Sequence, residues 1–165
     1  MKKYLVVLLS VLFLFLFVGQ SFAVVEGACT QSLSTMKTAN PNLQVLTFTC
    51  LGSDNDGDFP AIAVTDAITS QIKGWYIYEV RTYPGTKAPQ NAWDITITDS
   101  DGFDLMGTAL ADRAQTAERA LPKWATGLYA SIPVQGTLTL NITGTNVTVS
   151  TPIIKVFLTK LPLYK

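Results

Sequence analysis

Histidine is absent from this chain of 165 residues. Its absence excludes catalytic triads that use a histidine base and zinc sites that use imidazole ligands. Only two cysteines, Cys29 and Cys50, are present, so pairing them would leave no thiol for catalysis. Charged residues make up 15% of the chain and form no basic or acidic run, which argues against nucleic acid as a partner. If the protein were an enzyme, its catalytic groups would have to be carboxylates or a serine–lysine pair.

The chain has one long apolar run, and it lies at the N-terminus. Lys2 and Lys3 precede it, it covers residues 4–18, and small residues end at Ala23. This order is typical of a secretory signal peptide, and about 15 apolar residues are fewer than the roughly 20 of a membrane span. We therefore predict a signal peptide over residues 1–23, with an uncleaved anchor as the alternative. The remaining residues, 24–165, are predicted to form one domain with no membrane span, exported to the periplasm, cell surface or extracellular medium.

Export would bring the two cysteines into an oxidising compartment. Two cysteines allow one intramolecular pairing, so we predict a disulfide between Cys29 and Cys50. Cys50 shares a face of its predicted strand with Leu46 and Phe48, which directs its sulfur into the core. The segment 24–42 is polar and rich in small residues. We expect it to have little structure of its own until Cys29 ties it to the sheet.

Alternation of apolar and polar residues dominates the rest of the chain. It predicts strands at 43–51, 60–64, 75–83, 93–99, 103–106, 137–142, 146–150 and 154–158, separated by glycine and proline turn signals. This pattern predicts a mainly β single domain, an antiparallel β-sandwich of jelly-roll-like type.

Two segments do not follow the alternation. Apolar residues recur at helical spacing over 109–121, at Leu110, Ala114, Ala117 and Leu121, so we predict a short helix there, with a long loop as the alternative. Residues 65–73 fit a loop or a helical turn.

Two acidic turns contain the residue types that calcium prefers. Asp54, Asp56 and Asp58 alternate around Gly57, and a second acidic cluster lies within 99–104. Neither turn has the distal glutamate of an EF-hand loop, and aspartate and glycine also populate ordinary turns. We expect no cofactor, with calcium at Asp54, Asp56 and Asp58 as the alternative.

Aromatic residues offer a second kind of candidate site. Trp124 and Tyr129 follow Pro122 in a polar region, so we expect both outside the core. Exposed aromatic faces can bind sugars and other ligands, which makes Trp124 and Tyr129 the candidate ligand-binding residues.

Glu79 is the strongest candidate for a catalytic carboxylate. It lies in an aromatic run that we otherwise assign to packing, and glycoside hydrolysis uses a pair of carboxylates. Pairing with Arg81, or exposure on a half-covered strand, explains Glu79 equally well.

Several short motifs follow one another in a characteristic order between residues 72 and 158. The motifs lie at 74–78 (GWYIY), 84–85 (PG), 88–89 (AP), 94–99 (DITITD), 101–102 (DG), 104–107 (DLMG), 111–113 (ADR) and 136–140 (GTLTL). In this order they resemble small uncharacterised β-rich proteins encoded among bacteriophage virion structural genes. The resemblance implies a structural or surface-decorating subunit without catalytic residues. The predicted signal peptide and cysteine pair depart from it, because a virion subunit assembles in the cytoplasm and needs neither.

The combined pattern favours a non-catalytic exported structural or surface-assembly protein that acts by self-association or by binding a surface. Exposed strand edges can be completed by another subunit, so we expect a homo-oligomer or surface polymer. The alternative is a secreted carbohydrate- or ligand-binding β-sandwich module that uses Trp124 and Tyr129.

Overall fold

The computed structural model describes residues 26–36 and 42–161. The predicted signal peptide over residues 1–23 lies outside this range. Within it the chain forms short antiparallel strands and one short helix, as the mainly β prediction requires. No helix in the described part of the chain is long and apolar enough to cross a membrane.

The described elements follow one another in this order: β1 (Ala28–Thr35), β2 (Leu43–Leu51), β3 (Ile62–Ala63), α1 (Asp66–Ile72), β4 (Tyr76–Tyr83), β5 (Asp94–Thr98), β6 (Glu118–Ala120), β7 (Lys123–Ala125), β8 (Leu128–Tyr129), β9 (Ile132–Pro133), β10 (Thr139–Thr143) and β11 (Ile153–Thr159).

The larger sheet has six strands in the order β1-β2-β11-β4-β6, with β9 also paired to β4. Its centre is β11, which is antiparallel to β2 on one side and to β4 on the other. Leu46, Val156 and Val80 are Cα partners across these three strands, and all three are fully buried. Alternate residues of each strand point to one side of a sheet, so this row marks the inner face.

The smaller sheet, β3-β10-β5, covers that inner face. Ile95 and Ile97 of β5 pair with Ile142 and Leu140 of β10, and these side chains join those of the larger sheet in one buried cluster. Two antiparallel sheets around one core make a β-sandwich, which confirms the predicted fold class.

The N-terminal segment is more ordered than its polar sequence indicates. All eight residues of β1 pair with β2, from Ala28 opposite Leu51 to Thr35 opposite Gln44. The sequence predicted no strand here, because an edge strand can be rich in serine and threonine where one face meets solvent. The side chain of Gln31 also reaches the other sheet, donating to the Ala63 carbonyl at 2.8 Å.

The predicted disulfide is confirmed. Cys29 and Cys50 are direct partners in the β1–β2 ladder, their Cα atoms are 4.0 Å apart, and their sulfurs are bonded. Cys50 is 3% exposed and packs in the core with Leu46 and Phe48, as expected. The bond therefore joins the edge strand to the body of the sandwich.

The helix predicted over 109–121 does not form, and the long-loop alternative is found up to β6. Leu110 is buried, but Ala117 at the same helical spacing is exposed. Side-chain carboxylates accept hydrogen bonds from backbone N–H groups that a helix would pair with its own carbonyls. Asp94 accepts the N–H of Asp112 at 2.8 Å, and Glu118 accepts the N–H of Ala114 at 2.7 Å.

Two smaller predictions also differ from the structure, and for a third segment one of the two predicted alternatives is found. Residues 103–106 make only an isolated bridge between Asp104 and Thr98, not a strand. Residues 146–150 form a turn, in which Asn146 and Val149 have positive φ. The helical turn considered for 65–73 exists as α1.

Removing the disulfide should loosen β1 and lower stability. We expect the double variant Cys29→Ala/Cys50→Ala to lose about 2–4 kcal/mol of unfolding free energy in urea titrations, because the unfolded chain gains freedom. Adding a reductant should lower the stability of the wild type to the same level and leave the variant unchanged. Two alkylated thiols in the purified, non-reduced mature protein would contradict the bond.

Candidate functional site

A small hairpin formed by β7 and β8 carries three of the seven large hydrophobic side chains that are exposed in the described part of the chain. We call residues 123–129 the aromatic hairpin. Every residue of its two strands is exposed. Trp124 is 75% exposed, Leu128 56% and Tyr129 41%. Trp124 and Tyr129 therefore lie outside the core, as the sequence predicts. The other two tryptophans, Trp75 and Trp93, are buried.

The base of the aromatic hairpin is fixed to the body of the domain by its backbone. Lys123 donates its N–H to the Met106 carbonyl at 3.2 Å. Gly107 lies so close that an added Cβ would be 2.2 Å from the Lys123 carbonyl oxygen, and its φ is +58°. Only glycine fits this position without displacing the hairpin. The exposed side chains are therefore presented from an anchored base.

A cavity of about 170 Å³ lies at the base of the hairpin. Tyr78, Glu79, Arg119 and Tyr129 contribute side chains with polar ends to its lining. A wider depression of about 490 Å³ adjoins it, shares Arg119 and Tyr129, and adds Lys123. The aromatic hairpin and the outer face of the larger sheet thus share one concave surface.

A β-bulge in β4 places Tyr78 at this cavity. Glu79 is opposite Phe157 of β11, but Ile77 is opposite the next residue, Leu158, so Tyr78 is an extra residue in β4. The Tyr78 ring packs edge-on against Phe157, with centroids 6.0 Å apart. Burial raises the pKa of Tyr78, and the negative charge of Glu79 raises it further.

Glu79 lies on the outer face of the larger sheet and yet is only 6% exposed. The Nε of Arg81 donates to the Oε1 of Glu79 and forms an ion pair with it, which is one of the alternatives that the sequence left open. This hydrogen bond raises the pKa of Arg81. Among the described residues that line the cavity Glu79 is the only acid, whereas a glycosidase uses two. The cavity therefore holds no carboxylate pair.

Cations on this face stack on aromatic rings. The guanidinium carbon of Arg81 is 4.4 Å from the centre of the Phe157 ring, and the Lys155 ammonium is 5.2 Å from the centre of the Tyr83 ring. Such contacts hold a cation in place without neutralising its charge.

The first acidic turn uses its side chains to support its own backbone. Asp56 Oδ1 accepts the N–H of Asp58 at 3.0 Å, and the Ser53 hydroxyl accepts the N–H of Asn55 at 3.1 Å. Hydrogen bonds from the Asp58 backbone and from Ser53 lower the pKa of Asp56. No group of three or more metal-ligating side chains occurs among the described residues. Calcium at Asp54, Asp56 and Asp58 stays a prediction from the sequence.

The second acidic turn is built in the same way. Asp99 Oδ1 accepts the N–H groups of Asp101 and Phe103, both at 3.0 Å. Asp104 accepts those of Met106 and Thr108. These are the ordinary bonds by which aspartate stabilises turns.

No family model, curated protein or solved structure matches this chain. The resemblance to proteins of phage virion genes stays a prediction from motif order.

Three features of this surface were not predicted from the sequence. Arg119 lay in a segment predicted to be helical, and Leu128 carried no signal apart from its position near Tyr129. The bulge at Tyr78 depends on the register between β4 and β11, which are far apart in the chain. The sequence pointed to this region only through Glu79 and through the aromatic and proline content after residue 121.

Proposed function

We propose that this protein is a non-catalytic, exported binding protein that attaches to a surface through the aromatic hairpin and the cavity at its base. The observation that carries the proposal is the exposure of Trp124, Leu128 and Tyr129 together on one short hairpin. Apolar residues exposed as a group, rather than singly, are typical of interaction sites.

The hairpin is suited to binding because its side chains are not needed by the core. The buried cluster between the two sheets contains none of its residues. Tryptophan and tyrosine supply large contact areas with few rotatable bonds, which is why they dominate binding energies at interfaces. Anchoring of the hairpin base limits the conformational entropy lost on binding.

Export is supported by the cysteine chemistry and by the sequence before the domain. A disulfide such as Cys29–Cys50 forms and persists most readily in an oxidising compartment. The predicted signal peptide over residues 1–23 would deliver the chain there.

Removing the hairpin side chains should abolish attachment. We would mix the mature protein with peptidoglycan, chitin or phosphatidylcholine vesicles, sediment the particles and measure the bound fraction. We expect binding to at least one of these, with a blue shift in the emission of Trp124, and at least about a tenfold loss of affinity in Trp124→Ala/Leu128→Ala.

The matched control is Phe103→Ala, since Phe103 is 71% exposed but lies in a different turn. It should bind as the wild type does. Absence of binding to all three surfaces, or equal losses in both variants, would refute attachment through the hairpin.

Self-association through β1 is a second candidate function, because β1 is an edge strand of the larger sheet without the usual protection. Natural edge strands are usually protected by charges, prolines or bulges. β1 (ACTQSLST) contains no charged residue and no proline, and it pairs with β2 without a register shift. Two copies related by a twofold axis could pair their β1 strands antiparallel and extend the sheet.

A charge on this edge should prevent such pairing. If the mature protein is a dimer or larger in size-exclusion chromatography with light scattering, Ser32→Lys should shift it to monomer. Thr49→Lys is the control, because Thr49 is exposed on β2, one strand in from the edge. A wild type that remains monomeric at high concentration, or an oligomer that persists in Ser32→Lys, would rule this candidate out.

A further inference from the structure

Three cations occupy neighbouring positions across the larger sheet. Lys155 of β11 is the Cα partner of Arg81 of β4, and Arg81 is the Cα partner of Arg119 of β6. The adjacent positions Val156, Val80 and Ala120 are buried in the core, so the three cations lie on the opposite, outer face. We call these three residues the cationic row. Adjacent strands are about 4.8 Å apart, so the row spans roughly 10 Å.

The row contains more positive charge than the described residues neutralise. In the described part of the chain there are two ion pairs, Arg81 with Glu79 and Arg113 with Glu118. Glu79 is thus paired with Arg81, whereas Lys155 and Arg119 form no ion pair with a carboxylate within this part of the chain. The whole chain is formally neutral, so the excess is a local feature of this face.

Like charges directly opposite each other in a sheet are destabilising. Here they persist in two successive pairs, and aromatic rings hold two of the cations in position. A bound anion would remove the repulsion. The arrangement therefore resembles one half of an electrostatic contact, with the other half supplied by a partner.

The row is continuous with the aromatic hairpin. Arg119 lines the cavity at the hairpin base together with Tyr129, and it lines the adjoining depression together with Lys123. A ligand on the row would therefore reach Tyr129, and Trp124 lies on β7, the strand paired with that of Tyr129. Cationic groups beside exposed aromatic rings suit a chain of sugar rings that carry negative groups, because the apolar C–H face of a sugar can stack on an aromatic ring.

We propose that the cationic row and the aromatic hairpin form one binding site for an acidic polysaccharide that bears carboxylate or sulfate groups. This inference rests on the proposed function and specifies its ligand class. Arg119 and Lys155 bind the acidic groups, while Trp124 and Tyr129 stack on the sugar rings. The open shape of the surface suits a long chain that passes across it.

The test measures binding of the mature protein to alginate, a uronic acid polymer, to dextran sulfate and to neutral dextran by isothermal calorimetry. We expect binding to at least one of the acidic polymers, no binding to dextran, and a loss of affinity as sodium chloride is raised. Arg119→Gln and Lys155→Gln should each weaken binding about two- to fivefold, the range for partly exposed charge pairs. Lys73→Gln, the same change at an exposed lysine that follows α1, should have no effect.

The outcomes separate this inference from the proposed function. Loss of binding in Trp124→Ala/Leu128→Ala, with Arg119→Gln and Lys155→Gln matching Lys73→Gln, would overturn the acidic ligand and keep hairpin attachment. Charge-dependent binding that is unchanged in Trp124→Ala/Leu128→Ala would refute hairpin attachment and the joint site. The cationic row alone would then be the anion site. Equal binding to neutral dextran would overturn the inference. Charge-dependent binding to phosphatidylglycerol vesicles, but to neither acidic polymer, would overturn it in favour of an anionic membrane.

Discussion

The position of β11 between β2 and β4 is the constraint on which the rest of the structure depends. β2 and β4 are joined in the larger sheet only through this strand, which ends near the C-terminus. Each inward residue of β11 packs between partners on both sides, as Val156 does between Leu46 and Val80. Because these contacts join distant parts of the chain, the sheet cannot be completed until β11 has been placed.

The register between β11 and β4 also determines the outer surface. It leaves Tyr78 as the extra residue of the bulge, pairs Glu79 with Phe157, and aligns Lys155 with Arg81. β6 then adds Arg119 opposite Arg81. A shift of one residue would move these side chains to the other face, so the cavity and the cationic row both follow from a single alignment.

Sequence reasoning recovered the features that depend on local pattern. Alternation located β2, β4, β5, β10 and β11, the cysteine count led to the disulfide, and the proline and polar context placed Trp124 outside the core. Sequence reasoning failed for the features that tertiary contacts determine. β1 has almost no apolar signal and is ordered by pairing and by Cys29. Leu110 is buried as a single anchor in a loop whose amide groups are held by carboxylates. The cationic row could not be predicted, because its three members become neighbours only through the register of three strands.

The central claim is that the free protein keeps like charges together on this face at some cost to its own stability. The most direct test is the free energy of unfolding of wild type and Arg119→Gln, measured by urea titration at about 10 mM and about 1 M sodium chloride, where the screening length falls from about 30 Å to about 3 Å. At low salt Arg119→Gln should be more stable than the wild type by about 0.2–1 kcal/mol, and the difference should vanish at high salt. A variant that is less stable than the wild type at low salt would show that Arg119 is held by a stabilising partner, and would contradict the account.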